Sequence, residues 1–204
     1  MLVRLNPENP QPRVIKQIVE VVQKGGVIAY PTDTIYGLGC DIFNQKAIKK
    51  IYQIKQRDAR KPFSFVCADI ADVTNYAQVS NFAFKIMKRH LPGPYTFVLR
   101  ATRTVPELLT TKQKTVGIRI PASPIALNIV RELGHPLVTT SVNLAGSNPI
   151  VDPEDIFDEL GAMLELVVDG GITHGEPSTI ISLLDDCPEV LRVGSGPVDW
   201  LENL

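Results

Sequence analysis

The sequence predicts an α/β protein in which a mixed β-sheet is covered by helices, and three features predict it. Segments whose apolar residues recur at helical spacing alternate with short apolar runs. Capping residues, glycines and prolines separate the two kinds of segment. The 204 residues, 44% of them hydrophobic, suffice to bury a full core in one domain, expected to span residues 1–204.

Taken in order, Val14, Ile15, Ile18, Val19, Val21 and Val22 keep helical spacing across 11–24, and Gly25-Gly26 supplies a stop. Residues 27–30 form an apolar run too short for a helix and bounded by Gly26 and Pro31, which reads as a buried strand. The stretch from Pro31 to Gly39 reads as a turn region. Further helices are predicted at Gln45–Lys55, at Asn81–His90 behind a Ser80 cap, at Pro124–Leu133 behind Ser123, and at Pro153–Leu160 behind Asp152. Strands are predicted at 63–68, Tyr95–Ala101, 116–120, Leu137–Ser141, 166–168, 179–183 and 190–193.

Composition limits the function classes. No apolar run approaches the ~18 residues of a membrane span, and the polar start around Asn6-Pro7-Glu8-Asn9-Pro10 lacks the apolar core of a signal peptide. A cytoplasmic location is therefore expected. Cys40, Cys67 and Cys187 are isolated and odd in number, so they read as reduced structural cysteines. His90, His135 and His174 are scattered, which gives little support to a zinc site or a Ser/His/Asp triad, although His174 beside Gly175 could sit near a pocket. Neither a G-x-x-x-x-G-K-[ST] loop nor a G-x-G-x-x-G turn leading from strand to helix is present. Nucleotide binding would then rest on side-chain cations and hydroxyls, with Gly194-Ser195-Gly196 only a weak phosphate loop.

Charge is balanced overall, 21 basic against 22 acidic residues, yet between Lys46 and Lys61 seven basic residues accompany one acid, Asp58. Such a run reads either as a solvated helix face or as an anion site. Lys55 and Arg57 would share a side on an extended segment but not on a helix, and Pro62 favours extended backbone at Lys61. Ser141 and Asn143, at the end of a strand, would share a side too, and Gly146 then turns the chain. Together the two segments suggest an anionic-substrate site built from distant pieces. Arg119 and Arg192 each lie between apolar neighbours, so each needs an anionic partner, either a structural carboxylate or a bound phosphate.

These motifs, taken in order, resemble the YrdC/YciO family, which includes the threonylcarbamoyl-AMP synthases. The likeness rests on Pro31-Thr32-Asp33-Thr34-Ile35-Tyr36-Gly37-Leu38-Gly39, Lys55-x-Arg57 with Lys61-Pro62, Leu91-Pro92-Gly93-Pro94-Tyr95-Thr96 and Gly117-Ile118-Arg119-Ile120-Pro121. It continues through Thr139-Thr140-Ser141-Val142-Asn143, Pro177-Ser178-Thr179 and Arg192-Val193-Gly194. The resemblance implies a three-layer, twisted mixed sheet of YrdC/RibB-like type with a concave basic cavity, in a short single-domain form. It implies a reaction in which L-threonine, bicarbonate and ATP, with Mg2+ accompanying the nucleotide, give threonylcarbamoyl-AMP and pyrophosphate for tRNA modification. It also implies possible binding of tRNA or double-stranded RNA. By the same resemblance Lys55, Arg57 and Lys61 would hold the reacting anions. Ser141 and Asn143 would bond nucleotide or carbamate. Thr32, Thr34, Tyr36 and Thr139 would shape the threonine pocket, and Arg119, Ser178 and Arg192 would contact substrate or nucleotide phosphate.

The sequence departs from familiar synthases at Gln56, Asp58, Asp33 and Ser182, features that resemble the YciO branch. Two other readings stay open. A non-catalytic RNA-binding protein would use the basic cavity for backbone contacts, against which stand the near-neutral charge and only 6% aromatic residues. An enzyme like the dihydroxybutanone phosphate synthases would need acidic metal ligands, and no obvious carboxylate cluster is seen.

Overall fold

The structure is a computed structural model that describes residues 1–56, 63–144 and 147–203. Arg57, Asp58, Lys61, Pro62 and Gly146 lie outside the described residues. Within them the chain runs β1 (Leu2–Arg4), α1 (Pro12–Gln23), β2 (Ile28–Tyr30), β3 (Gly37–Asp41), α2 (Gln45–Lys55), β4 (Ser64–Val66), α3 (Ile70–Tyr76), β5 (Ala77–Gln78) and α4 (Asn81–His90). It continues β6 (Tyr95–Ala101), β7 (Thr115–Arg119), α5 (Pro124–Leu133), β8 (Leu137–Ser141), α6 (Pro153–Leu160), β9 (Leu166–Asp169), β10 (Thr179–Ser182) and β11 (Glu189–Arg192). One sheet holds the strands in the order β1-β9-β2-β3-β8-β4-β7-β6-β10-β11, with β5 beside β6. It is mixed: β2, β4 and β6 each have a parallel neighbour on one side and an antiparallel one on the other.

The helices begin where the caps predict. Asn44 accepts from the Ala47 N–H, Ser80 from Ala83, Ser123 from Ala126 and Asp152 from Glu154. Helix α1 has proline in its first turn and ends before Gly25, whose φ of 86° is left-handed. Its buried Ile15, Ile18, Val19 and Val22 make one stripe.

Strand alternation then divides the core into two layers. Ala29, Leu38, Cys40, Phe65, Phe97 and Val138 face a cluster completed by α2, α3, α4 and α6. Ile28, Tyr30, Val66, Leu137, Leu166 and Val168 face the opposite way, onto α1 and α5. Helices therefore cover both faces, and each fully buried aliphatic side chain contributes about 1.5–3 kcal/mol. Cys40 and Cys67 belong to the first cluster, where burial pushes both thiols up and leaves them unreactive.

Four elements were not predicted. β3 occupies residues expected to be a turn, because Gly37 and Gly39 have no intrinsic strand preference and gain their place by pairing, Gly37 with Tyr30 and Gly39 with Ile28. β1 and β5 are too short to show alternation. α3 has only seven residues, too few for a clear apolar stripe, although Asp69 caps it by accepting from the Asp72 N–H at 2.8 Å.

Candidate active site

Helices α1 and α5 cover only part of their sheet face, and beyond them the face opens into a cavity of about 500 Å3. Register builds its floor. Ser64 pairs with both Thr139 and Gly117, Gly117 pairs with Val98, and Thr96 lies two residues before Val98 on the same side. Short side chains thus stand side by side where bulkier ones would close the space. A Cβ at Gly117 would come within 2.6 Å of Ser64 Oγ and 3.2 Å of Thr96 Cγ2, so any side chain there must displace its neighbours on the floor.

One wall is the turn after β8, held by Lys55. This lysine is the last residue of α2, and the helix stops there because Gln56 adopts φ 46°, ψ 37°, a left-handed cap. Lys55 is helical, not part of the extended segment that its spacing from Arg57 suggested. Its side chain is buried, and Nζ donates to the carbonyls of Ser141 at 2.7 Å and Asn143 at 2.9 Å and to Asn143 Oδ1. Ser141 Oγ donates to Asn143 Oδ1 at 2.7 Å, and Asn143 Nδ2 to the Ser147 carbonyl at 2.6 Å. Lys55, Ser141 and Asn143, 86 and 88 residues apart along the chain, therefore meet as one ammonium-centred clasp. Ser141 and Asn143 line the cavity; Lys55 braces them from behind. Arg57 and Lys61, the other cations expected here, fall outside the described residues.

Two arginines line the cavity from other sides. Arg119, 6% exposed, ends β7 and gives Nη2 to Asp33 Oδ1 and to Thr34 Oγ1, both at 2.9 Å. Its Nε is buried without a hydrogen-bond partner among the described residues, which costs about 1–3 kcal/mol for a polar group. Arg192 donates to the Ser178 carbonyl from Nε at 3.2 Å and Nη2 at 2.7 Å, and among the described residues no carboxylate pairs with it. Burial lowers the pKa of both guanidiniums; Asp33 works against this at Arg119, whereas the Arg119 charge adds to it at Arg192. Two like charges thus share one small polar space, an arrangement that an anion between them would relieve. The sequence suggested that both arginines are buried: Arg119 is, and has the structural carboxylate, whereas Arg192 is exposed on β11 between the exposed Leu191 and Val193 and, among the described residues, has no carboxylate partner.

The hydroxyls of the loop before β3 are turned inward. Thr32 Oγ1 donates to the Ile35 carbonyl at 2.6 Å and lies 3.1 Å from Thr34 Oγ1, which in turn receives Arg119. Both threonines are buried, and neither lines the cavity; they form the shelf on which Arg119 rests. Tyr36 belongs to the cavity lining, but its side chain is fully buried with the first core cluster, where its hydroxyl donates to the Gly171 carbonyl at 2.8 Å and accepts from the Gly170 N–H at 3.1 Å. Thr139 lines the floor directly, as does Ser178, whose hydroxyl meets Thr96 Oγ1 at 2.8 Å.

Other candidates sit elsewhere. The segment at Gly194 packs on residues 177–179, where a Cβ would be 2.1 Å from the Pro177 carbonyl, and it does not line the cavity. His90 stacks on Trp200, His135 lies 3.6 Å from Asp41, and His174 is not a cavity residue. Ser64, Thr96, Thr111 and Thr115 line the cavity and were not singled out from sequence. Ser64 and Thr96 each stand between two aromatic residues, and that polar-within-aromatic alternation was their one available signal. Among the described residues there is no group of three or more His, Cys, Asp or Glu side chains that could hold a metal, and no helix is long and apolar enough to cross a membrane.

Comparison with known proteins gives the same fold. The YciO protein of Escherichia coli K12, uncharacterized in function, is 44% identical over 196 residues, 95% of each chain. The crystal structure of E. coli YciO superimposes with a TM-score of 0.93, at 43% identity and with 98% of each chain covered. A putative threonylcarbamoyl-AMP synthase of Methanocaldococcus jannaschii is 34% identical, over 95% of this chain and 92% of its own. P. abyssi Sua5, crystallised with L-threonine, superimposes with a TM-score of 0.93 at 29% identity; all of this chain is covered, and 60% of that one. The Sua5/YciO/YrdC family, described as "Telomere recombination", matches residues 20–194. With that match spanning most of the sequence and the E. coli relative aligned almost throughout, the chain belongs to the Sua5/YciO/YrdC family.

Proposed function

We propose that this chain is an ATP-dependent threonylcarbamoyl-AMP synthase, joining L-threonine, bicarbonate and ATP into threonylcarbamoyl-AMP with release of pyrophosphate. The observation that carries the reading is the cavity itself: Arg119 and Arg192 share it, its floor is lined with hydroxyls, and one wall is the clasped turn at Ser141–Asn143. The names of relatives such as the M. jannaschii protein, and the L-threonine in the P. abyssi Sua5 complex, support the same reading.

The chemistry asks for what the cavity offers. Threonine's amine attacks bicarbonate, and loss of water leaves a carbamate. A carbamate oxygen then attacks the α-phosphorus of ATP and pyrophosphate departs. Every participant after the first step is anionic, so fixed positive charge does most to lower the barrier. Two unit charges about 4 Å apart interact by roughly 4 kcal/mol at an effective dielectric near 20. Arg192, whose partners among the described residues are a carbonyl and a hydroxyl, and the free edge of Arg119 would hold the phosphates or carboxylate. Thr139, Ser141 and Ser178 would donate to them, and the Lys55 clasp would keep Ser141 and Asn143 in place. Positioning supplies the rest, and no side-chain nucleophile enters the scheme. Magnesium would arrive on the nucleotide's phosphates.

The test is incubation of the protein with labelled bicarbonate, L-threonine, ATP and magnesium. Threonylcarbamoyl-AMP should form, and omission of any one substrate should prevent it. Asn143→Ala, which removes an acceptor from Lys55 and from Ser141, should lower the rate roughly 10- to 150-fold, the equivalent of a charged hydrogen bond, with melting temperature as the folding control. No product from the parent, together with tight binding of duplex RNA at physiological salt, would replace the synthase with an RNA-binding protein.

A further inference from the structure

Tyr30 ends β2 and is fully buried, and its ring lies along β3. A Cβ at Gly39 would be 2.6 Å from Tyr30 Cε1, whereas one at Gly37 would be 3.1 Å from Cζ. The ring therefore runs from Gly39 to Gly37 with its hydroxyl end at Gly37, and the two glycines are the groove that seats it. The same point above Gly37 is 3.0 Å from Thr139 Oγ1. Gly37 and Thr139 both line the cavity; the Tyr30 ring packs against Gly37 on the same side of the sheet as Thr139.

Among the described residues the Tyr30 hydroxyl has no hydrogen-bond partner, and neither has the buried Nε of Arg119. Burial pushes the phenol up to about 12, partly offset by the nearby Thr139 hydroxyl and the Arg119 charge, although no contact reaches hydrogen-bond geometry. A phenylalanine would fill the ring's space without burying an unsatisfied hydroxyl, so packing alone gives no reason for the phenol. We propose that Tyr30 is a positioning residue for the anion bound at the cavity floor, acting through Arg119 and Thr139. When an anion enters, the Tyr30 oxygen would accept the Arg119 Nε–H and donate its own proton to Thr139 Oγ1, two hydrogen bonds that this structure does not make. The Thr139 proton then turns towards the cavity and the guanidinium is fixed in the plane that its Asp33 and Thr34 contacts begin to set. This rests on the cavity being an anion site, as in the proposed function, but not on the synthase reaction itself.

The test compares the parent, Tyr30→Phe, Thr139→Val and the double variant in calorimetric titration with AMP, in melting without ligand, and in the synthase assay. Tyr30→Phe should melt at or above the parent's temperature, bind AMP about tenfold more weakly and lower kcat. Its effect on AMP binding should shrink in the Thr139→Val background, since both variants break one relay. A lowered melting temperature with unchanged AMP affinity, or fully additive effects in the double variant, would make Tyr30 an ordinary core residue and overturn the proposal. A parent that binds AMP, weakened by Tyr30→Phe, yet forms no threonylcarbamoyl-AMP would sink the synthase reading while upholding Tyr30. A parent that does not bind AMP would overturn both.

Discussion

Two halves of one sheet face, built by the same strands, have opposite chemistry. On β8, Leu137 stands in the half that α1 and α5 cover, while Thr139 and Ser141, on the same side two and four residues further on, stand in the open half. On β4, Val66 is covered and Ser64 is open. Backbone, pleat and pairing do not differ between the halves; only the presence of a helix above does. Where a helix lies above, apolar side chains fill the layer to interior density. Where none does, hydroxyls, glycines and two arginines, set among apolar residues such as Ile35, Phe63 and Val98, leave an open space with polar groups on its floor. Stability should therefore reside in one half and binding in the other.

Breaking the covered half should have the larger effect on stability. Leu137→Ala removes a fully buried side chain between β8 and the α1/α5 layer and should destabilise the protein by about 2–5 kcal/mol in denaturant unfolding. A loss below about 1 kcal/mol would mean that the covered half is not the packed region described.

A smaller effect sharpens the boundary of the open half, where α2 must stop for Lys55 to reach the β8 turn. Gln56 makes that stop in a left-handed conformation that glycine adopts without strain. Gln56→Gly should stabilise the protein by about 0.5–1 kcal/mol, the relief of strain exceeding the added freedom of the unfolded chain, and Gln56→Val should destabilise it. Equal stability for all three proteins would show that the cap does not fix the end of α2.

The covered half was the more legible in the sequence. Its two helices announce themselves locally, α5 by the Ser123 cap and a proline in its first turn, and α1 by a first-turn proline and an apolar stripe within a dozen residues. That the two segments meet was legible, because Lys55 sits in a basic run and Ser141 and Asn143 at a strand end, but that Lys55 clasps the turn from the end of a helix was not. What the hydroxyls before β3 do was hidden. Thr34 and Asp33 look like ligand groups until Arg119, 85 and 86 residues away, is seen to bond both. The floor was hidden for the same reason, since only strand register brings Ser64, Thr96, Gly117 and Thr139 together. β3 escaped because its glycines are explained by the Tyr30 ring they accommodate, a contact no local pattern reveals.

The central claim, that the open half is the ligand site, is tested most directly at Gly117. Gly117→Val places a side chain against Ser64 and Thr96 on the floor, at an overpacking cost of about 1–3 kcal/mol that still permits folding. Calorimetric titration of L-threonine in the presence of ATP and bicarbonate should give binding to the parent and none to the folded variant. Equal dissociation constants for the two proteins would place the ligand elsewhere and contradict the account.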